Sequence, residues 1–132
     1  MHLGINGRKA LVCGASSGLG LACATALVQE GVHVVMVART LEPLVQAALT
    51  LEALQGGPVS FVAADVGTSE GRARIFAAHP DFDIVVTNAG GPPPGDFRQW
   101  GRDDWIQALD ANMLAPIEII KTVVDGMMTR GF

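Results

Sequence analysis

Four short apolar runs alternate along the chain with longer stretches in which apolar residues recur at helical spacing. Residues 9–13 form the first run and end against Gly14, the composition of a strand covered on both faces. From 18 to 30, Leu19, Ala22, Cys23, Ala26 and Leu27 predict one apolar helix face, and Gly31 stands where such a helix stops. Residues 32–38 are β-branched and apolar and predict a second central strand. Thr40 then predicts an N-cap, with Pro43 in the first turn of a helix running to about Leu54. A third strand is predicted over 59–64, a short helix over 69–78 and a fourth strand over 83–87. Residues 92–95, Pro-Pro-Pro-Gly, belong in an exposed loop. From about Asp103 onward, Trp105, Leu109, Met113, Ile117, Ile120, Val124 and Met127 predict one long amphipathic helix.

Strands that alternate with helices of this length imply βαβ units, a parallel sheet and right-handed crossovers. The expected architecture is α/β, a doubly wound sheet between two helical layers, with residues 1–132 forming one unit. Ligands of such sheets bind beyond the carboxyl ends of the strands. Four distinctive clusters fall at those ends: the turn after Cys13, Arg39-Thr40, Asp65-Val66 and Asn88-Ala89-Gly90.

Composition narrows the field. Charged residues make up 17% and hydrophobic residues 49%, which excludes intrinsic disorder. The net charge of −4, with no basic run, argues against nucleic acid as a partner. The uncharged stretch 10–29 is broken by glycines and serines at 14–18, so it reads neither as a membrane span nor as a signal peptide. Cys13 and Cys23 make no disulfide framework and no zinc site, no other metal site is evident, and a reducing cytoplasm suits them.

The turn Gly14-Ala15-Ser16-Ser17-Gly18-Leu19-Gly20 carries the chemistry. Gly14 permits a tight turn, Gly18 a close approach of backbone to a pyrophosphate, and Gly20 close packing of helix on strand. The free N–H groups at the start of that helix then face the phosphates. With its Gly-x-x-x-Gly-x-Gly spacing, together with Asp65-Val66, Asn88-Ala89-Gly90 and Asn112, the chain resembles the short-chain dehydrogenase/reductase family over essentially its whole length. The stretch Gly90 to Gly95 and the run from Asp104 to Asn112 look most like bacterial 3-oxoacyl-[acyl-carrier-protein] reductase homologues. The resemblance implies a Rossmann-type fold and reduction of a carbonyl, with a 3-oxoacyl thioester as one candidate.

The end of the second strand bears on the cofactor. An NAD site places a carboxylate there for the ribose 2′-hydroxyl, which would repel a 2′-phosphate. Here Ala38 is followed by Arg39 and Thr40, able to hold a phosphate, so NADP is the expected cofactor and NAD the lesser alternative. Ser16, Ser17 and Leu19 complete the phosphate turn. By resemblance Asp65 bonds the adenine amino group beside the Val66 backbone, with the N-cap of the next helix as its alternative role. Asn88 by the same resemblance braces the sheet, and Ala89-Gly90 lie against ribose.

The family reduces carbonyls with a tyrosine, a lysine four residues later and a serine, supported by a helix asparagine that Asn112 matches. No tyrosine occurs anywhere in the chain, and its lysines are Lys9 and Lys121. The family sheet also continues beyond a fourth strand. Two readings therefore stay open: the amino-terminal half of a reductase, truncated on its carboxyl side, or a naturally short nucleotide-binding module without catalysis. A small carbonyl or alcohol substrate and a homo-oligomer, dimer or tetramer, formed through the helix around 105–128 are the expected partners.

Overall fold

The computed structural model describes residues 2–132. Its strands β1 (Lys9–Cys13), β2 (His33–Ala38), β3 (Val59–Ala63) and β4 (Ile84–Val86) form one parallel sheet in the order β3-β2-β1-β4. Helix α1 (Gly18–Gln29) follows β1, α2 (Leu41–Glu52) follows β2, and α3 (Ser69–Ala78) follows β3. After β4, a 3-10 turn (Phe97–Gln99) leads into α4 (Arg102–Leu109) and α5 (Ala115–Arg130).

Strand side chains alternate between two cores. Ala10, Val12, Val34 and Met36 point to the side of α1 and α2, where they meet Ala24, Val28, Leu44, Ala48 and Leu51. Leu11, Cys13, Val35 and Val37 point the other way, onto Ile75, Phe82, Ile119 and Val123. Both faces of β1 and β2 are thus covered, the reason their sequences read as continuous apolar runs. The expected α/β sheet between helical layers is what the chain forms.

Three helical expectations are corrected. The buried face of α1 is Gly20, Ala24 and Val28, whereas Leu19 is 78% exposed. Small residues win because α1 lies close against the β1 turn, where a bulky side chain has no room.

The long helix is not uniform: residues 110–114 between α4 and α5 form a π turn, with the Ala115 N–H bonding the Asp110 carbonyl. Pro116 follows at once and lacks the N–H that an uninterrupted α-helix would aim at the Asn112 carbonyl.

Its buried seam is Ala115, Ile119 and Val123, while Trp105, Leu109, Met113, Ile117 and Ile120 are 44–49% exposed. The helix is apolar on more than one face, and the sheet accepts the slimmer one.

Candidate functional site

Above the carboxyl ends of the strands runs a cleft of about 1100 Å³. Its floor is the turn between β1 and α1, where Gly14 and Gly18 adopt φ of +60° and +56°, a region in which a side chain would be strained. A Cβ on Gly14 would also lie 2.6 Å from Asn88 Nδ2. One on Gly20 would overlap the Gly14 carbonyl oxygen. Gly20 therefore holds α1 against the turn from below, buried, and does not itself line the cleft. At Gly18 and Gly90 a Cβ would meet nothing within 4 Å, so their bareness leaves open space in the cleft.

The clusters at the four strand ends converge here. Ser16, Ser17, Gly18 and Leu19 line the cleft beside Gly14, and Arg39 and Thr40 enter from the end of β2. Asp65 and Val66 come from the end of β3, and Asn88, Ala89 and Gly90 from the end of β4.

Local bonds hold these residues in place. Asn88 Nδ2 reaches the Cys13 carbonyl at 3.5 Å, across from β4 to β1, and the Ala15 N–H donates to the Val37 carbonyl at 3.0 Å. Asp65 Oδ1 accepts the Gly67 N–H at 2.9 Å. Asp65 does not cap α3. Thr68 does, its hydroxyl accepting from the Gly71 N–H at 3.0 Å and donating to the Asp65 carbonyl at 2.9 Å. Relieved of capping, the exposed Asp65 is left at the cleft wall.

Asn112 sits in the π turn and lines an adjoining cavity of about 110 Å³ together with Cys13, Thr87 and Asn88. Its Nδ2 donates to the Ala108 carbonyl at 3.0 Å. Burial pushes the Cys13 thiol there up to about 11, against a smaller lowering by hydrogen bonding from the Asn88 backbone. Neither lysine lines the cleft: Lys9 opens β1 at the opposite end of the sheet, and Lys121 pairs with Glu118 at 3.4 Å on the surface of α5.

The cleft extends further than the motifs imply. Pro92 and Pro93 of the proline loop line it, and so do Trp100, Asp104, Gln107 and Asp110. Trp100 belongs to no motif, and the resemblance of residues 104–112 assigned no site role to Asp104, Gln107 or Asp110. The only hint in the sequence is that they follow the fourth strand end within one connection and the first turns of a helix.

The profile of the short-chain dehydrogenase family matches residues 8–132. The chain belongs to the short-chain dehydrogenase family. The uncharacterized oxidoreductase YvaG of Bacillus subtilis (strain 168) is 31% identical over 131 residues, which cover 98% of this chain and 50% of that protein. The L-sorbose reductase of Gluconobacter frateurii, solved with NADPH and L-sorbose, is similar at 34% identity and a TM-score of 0.90, over 99% of this chain and 51% of that one. A 3-oxoacyl (acyl-carrier-protein) reductase from Agrobacterium tumefaciens C58 with NADP bound is similar at 25% identity and a TM-score of 0.83, over 96% and 50%. The chain thus spans about half the length of the curated relatives it matches. No helix among the described residues is long and apolar enough to cross a membrane. In this member of the short-chain dehydrogenase family the glycine turn and the residues at the strand ends surround one cleft.

Proposed function

We propose that this chain forms the nucleotide-binding part of an NADP(H)-dependent oxidoreductase that interconverts a carbonyl and a secondary alcohol. The observation that carries the reading is the meeting of Arg39 and Thr40 with the glycine turn in one cleft. The open space over Gly18 and Gly90 fits the close passage of a dinucleotide. The bound NADPH of the sorbose reductase and NADP of the Agrobacterium reductase, both similar to this chain, support the choice.

A dinucleotide held there supplies or accepts the hydride. The chain's own part is to grip and orient. Backbone N–H groups at the start of α1 hold the pyrophosphate at the positive end of the helix. Arg39 engages the 2′-phosphate as a planar fork, with the Thr40 hydroxyl donating a further bond. Asp65 receives the adenine amino group. Asn112, which lines the small cavity with Asn88, assists proton delivery as the family's helix asparagine does.

No tyrosine occurs in the 132 residues, and neither lysine lines the cleft, so these residues alone bind without turning over. Substrates in this reading are small carbonyl compounds, with a 3-oxoacyl thioester among them in view of the Agrobacterium relative. The exposed seam of Leu109, Met113, Ile117 and Ile120 supports self-association through α4 and α5, which sedimentation velocity tests. Two free cysteines suit a cytoplasmic setting.

Titration calorimetry with NADPH and NADH tests the cofactor. NADPH is expected to bind at least about tenfold tighter, a difference of about 1.4 kcal/mol. Equal affinity, or tighter NADH, overturns the assignment.

A further inference from the structure

At the end of the sheet opposite the cleft, the chain enters β1 through a turn that holds Asn6 and Gly7. Of the three asparagines in the sequence, Asn6 alone precedes a glycine. That pairing has a chemistry of its own. With no side chain to obstruct it, a glycine nitrogen can attack the carboxamide carbon of the residue before it. Asn6 is exposed, open to the water and base the reaction needs.

The fold holds the two reacting groups apart. The Arg8 N–H donates to the Ile5 carbonyl at 3.0 Å, and Gly7 has a φ of +79°. Among the described residues Gln55 is the one non-glycine with positive φ, so Asn6 and Gly7 are the central pair of a type II turn. Closing a five-membered ring on Asn6 Cγ requires Cβ and the Gly7 nitrogen nearly eclipsed about the Cα–C bond, and a type II turn sets them far from it. The attacking group is also engaged, because the Gly7 N–H donates to the Gly31 carbonyl at 3.0 Å. The carboxamide in turn lies over the bare α-carbon of Gly31, where a Cβ would sit 2.9 Å from Asn6 Cγ and 3.0 Å from both Nδ2 and Oδ1. Gly31, just past the end of α1 with a φ of +81°, thus holds both partners of the reaction.

We propose that Asn6 is a site of intramolecular deamidation that Gly31 keeps closed in the folded chain, and that opens when the corner between α1 and β1 comes apart. The Gly7 nitrogen gives its proton to solvent base and bonds Asn6 Cγ, and the Cγ–Nδ2 bond breaks to release ammonia. Water then opens the succinimide at either carbonyl, leaving aspartate or isoaspartate in place of Asn6. The sum is amide and water giving acid and ammonia, with no oxidation or reduction.

Either product loosens the corner that guards it. A carboxylate would stand beside the last carbonyls of α1, the negative end of that helix. Isoaspartate also lengthens the main chain by one carbon, which takes the Gly7 N–H out of register with the Gly31 carbonyl. The site lies outside the nucleotide cleft and does not rest on the cofactor reading.

The test holds the chain at pH 8 with and without denaturing urea and follows the tryptic peptide ending at Arg8 by mass spectrometry, with Asn6→Asp as the chromatographic standard. Conversion is expected to run at least about tenfold faster in urea, since in the folded chain its rate is set by the fraction of molecules open at this corner. Asn88 and Asn112, followed by alanine and methionine, are internal controls and should lag behind Asn6 in urea. Gly7→Ala, compared in urea where folding plays no part, is expected to slow Asn6 severalfold. Gly31→Ala, whose Cβ would displace the carboxamide, is expected to speed conversion without urea. Equal rates with and without urea overturn the protection by the fold, and a folded Gly31→Ala chain that converts no faster than its parent overturns the part given to Gly31. Conversion of Asn6 in urea no faster than that of Asn88 overturns the site itself.

Discussion

Gly20 lies so tightly beneath Gly14 that a Cβ on the former would overlap the carbonyl oxygen of the latter. The obstacle is backbone, which cannot swing aside as a side chain tip does. The contact fixes how near α1 comes to β1, and with it the height of the turn above the sheet.

Gly20→Ala is therefore expected to destabilise the fold by about 1–3 kcal/mol, as overpacking in a close-packed interior does. Gly90→Ala meets nothing within 4 Å and is expected to leave stability unchanged while lowering nucleotide affinity. Urea unfolding of both variants checks this. A midpoint for Gly20→Ala equal to that of the parent chain contradicts it.

Arg39→Ala removes the only cation lining the cleft among the described residues. A charged hydrogen bond is worth about 1.5–3 kcal/mol, so NADPH affinity is expected to fall roughly 10- to 100-fold. NADH affinity should stay within about twofold, since a ribose hydroxyl gives the guanidinium no charge to pair with. Calorimetry on the two cofactors measures both numbers.

At the opposite end of the sheet, His33 Nε2 meets Ser60 Oγ at 2.9 Å, and its ring stands edge-on to His79 with centroids 6.0 Å apart. Desolvation, and then the charge of Lys9, hold both histidines below their ordinary value of 6.5, with His33 also lowering His79. Because the folded chain resists protonation, the unfolded chain binds more protons just below pH 6.5. Stability conferred by the neutral rings is present above that pH and is lost as pH falls through the lowered folded values. Lys9→Met should move both values back up and flatten the loss. Histidine proton shifts followed by NMR from pH 8 to 4.5 read this directly, and unchanged titration in the variant refutes the Lys9 contribution.

Cys13 is buried with its thiol pushed up to about 11, whereas Cys23 is half-buried. At pH 8 an aromatic disulfide reagent is expected to label Cys23 in the native chain and Cys13 only on unfolding, since the thiolate is the nucleophile. Mass spectrometry of the labelled peptides distinguishes the two. Rapid native labelling of Cys13 would mean that the small cavity beside Asn112 opens to solvent.

Much of this arrangement was legible along the chain. Alternating runs placed the four strands, because a strand covered on both faces must be apolar at successive positions, as 10–13 and 34–37 are. The spacing of Gly14, Gly18 and Gly20 was equally readable, since positive φ and close backbone contact admit so few other residues. Strand-end clusters far apart in sequence then had to meet, because parallel strands bring all their carboxyl ends to one edge.

Other features were decided only in three dimensions. Helical periodicity states which residues share a face, but α1 and α5 are apolar on several faces, so the shape of the sheet chose Gly20 over Leu19 and Ile119 over Ile120. The π turn that carries Asn112 arises from a proline whose effect on the preceding turn depends on how the helix seats. Asp65 had the N-cap of the next helix as an alternative role, and the chain's path at Gly71 gave that role to Thr68, which the sequence had not singled out. Trp100 carries no motif, and Asp104 and Gln107 lie in a stretch whose resemblance assigned them no site role. They join the cleft because the connection after β4 folds back across its own strand end, a long-range placement that no local pattern encodes.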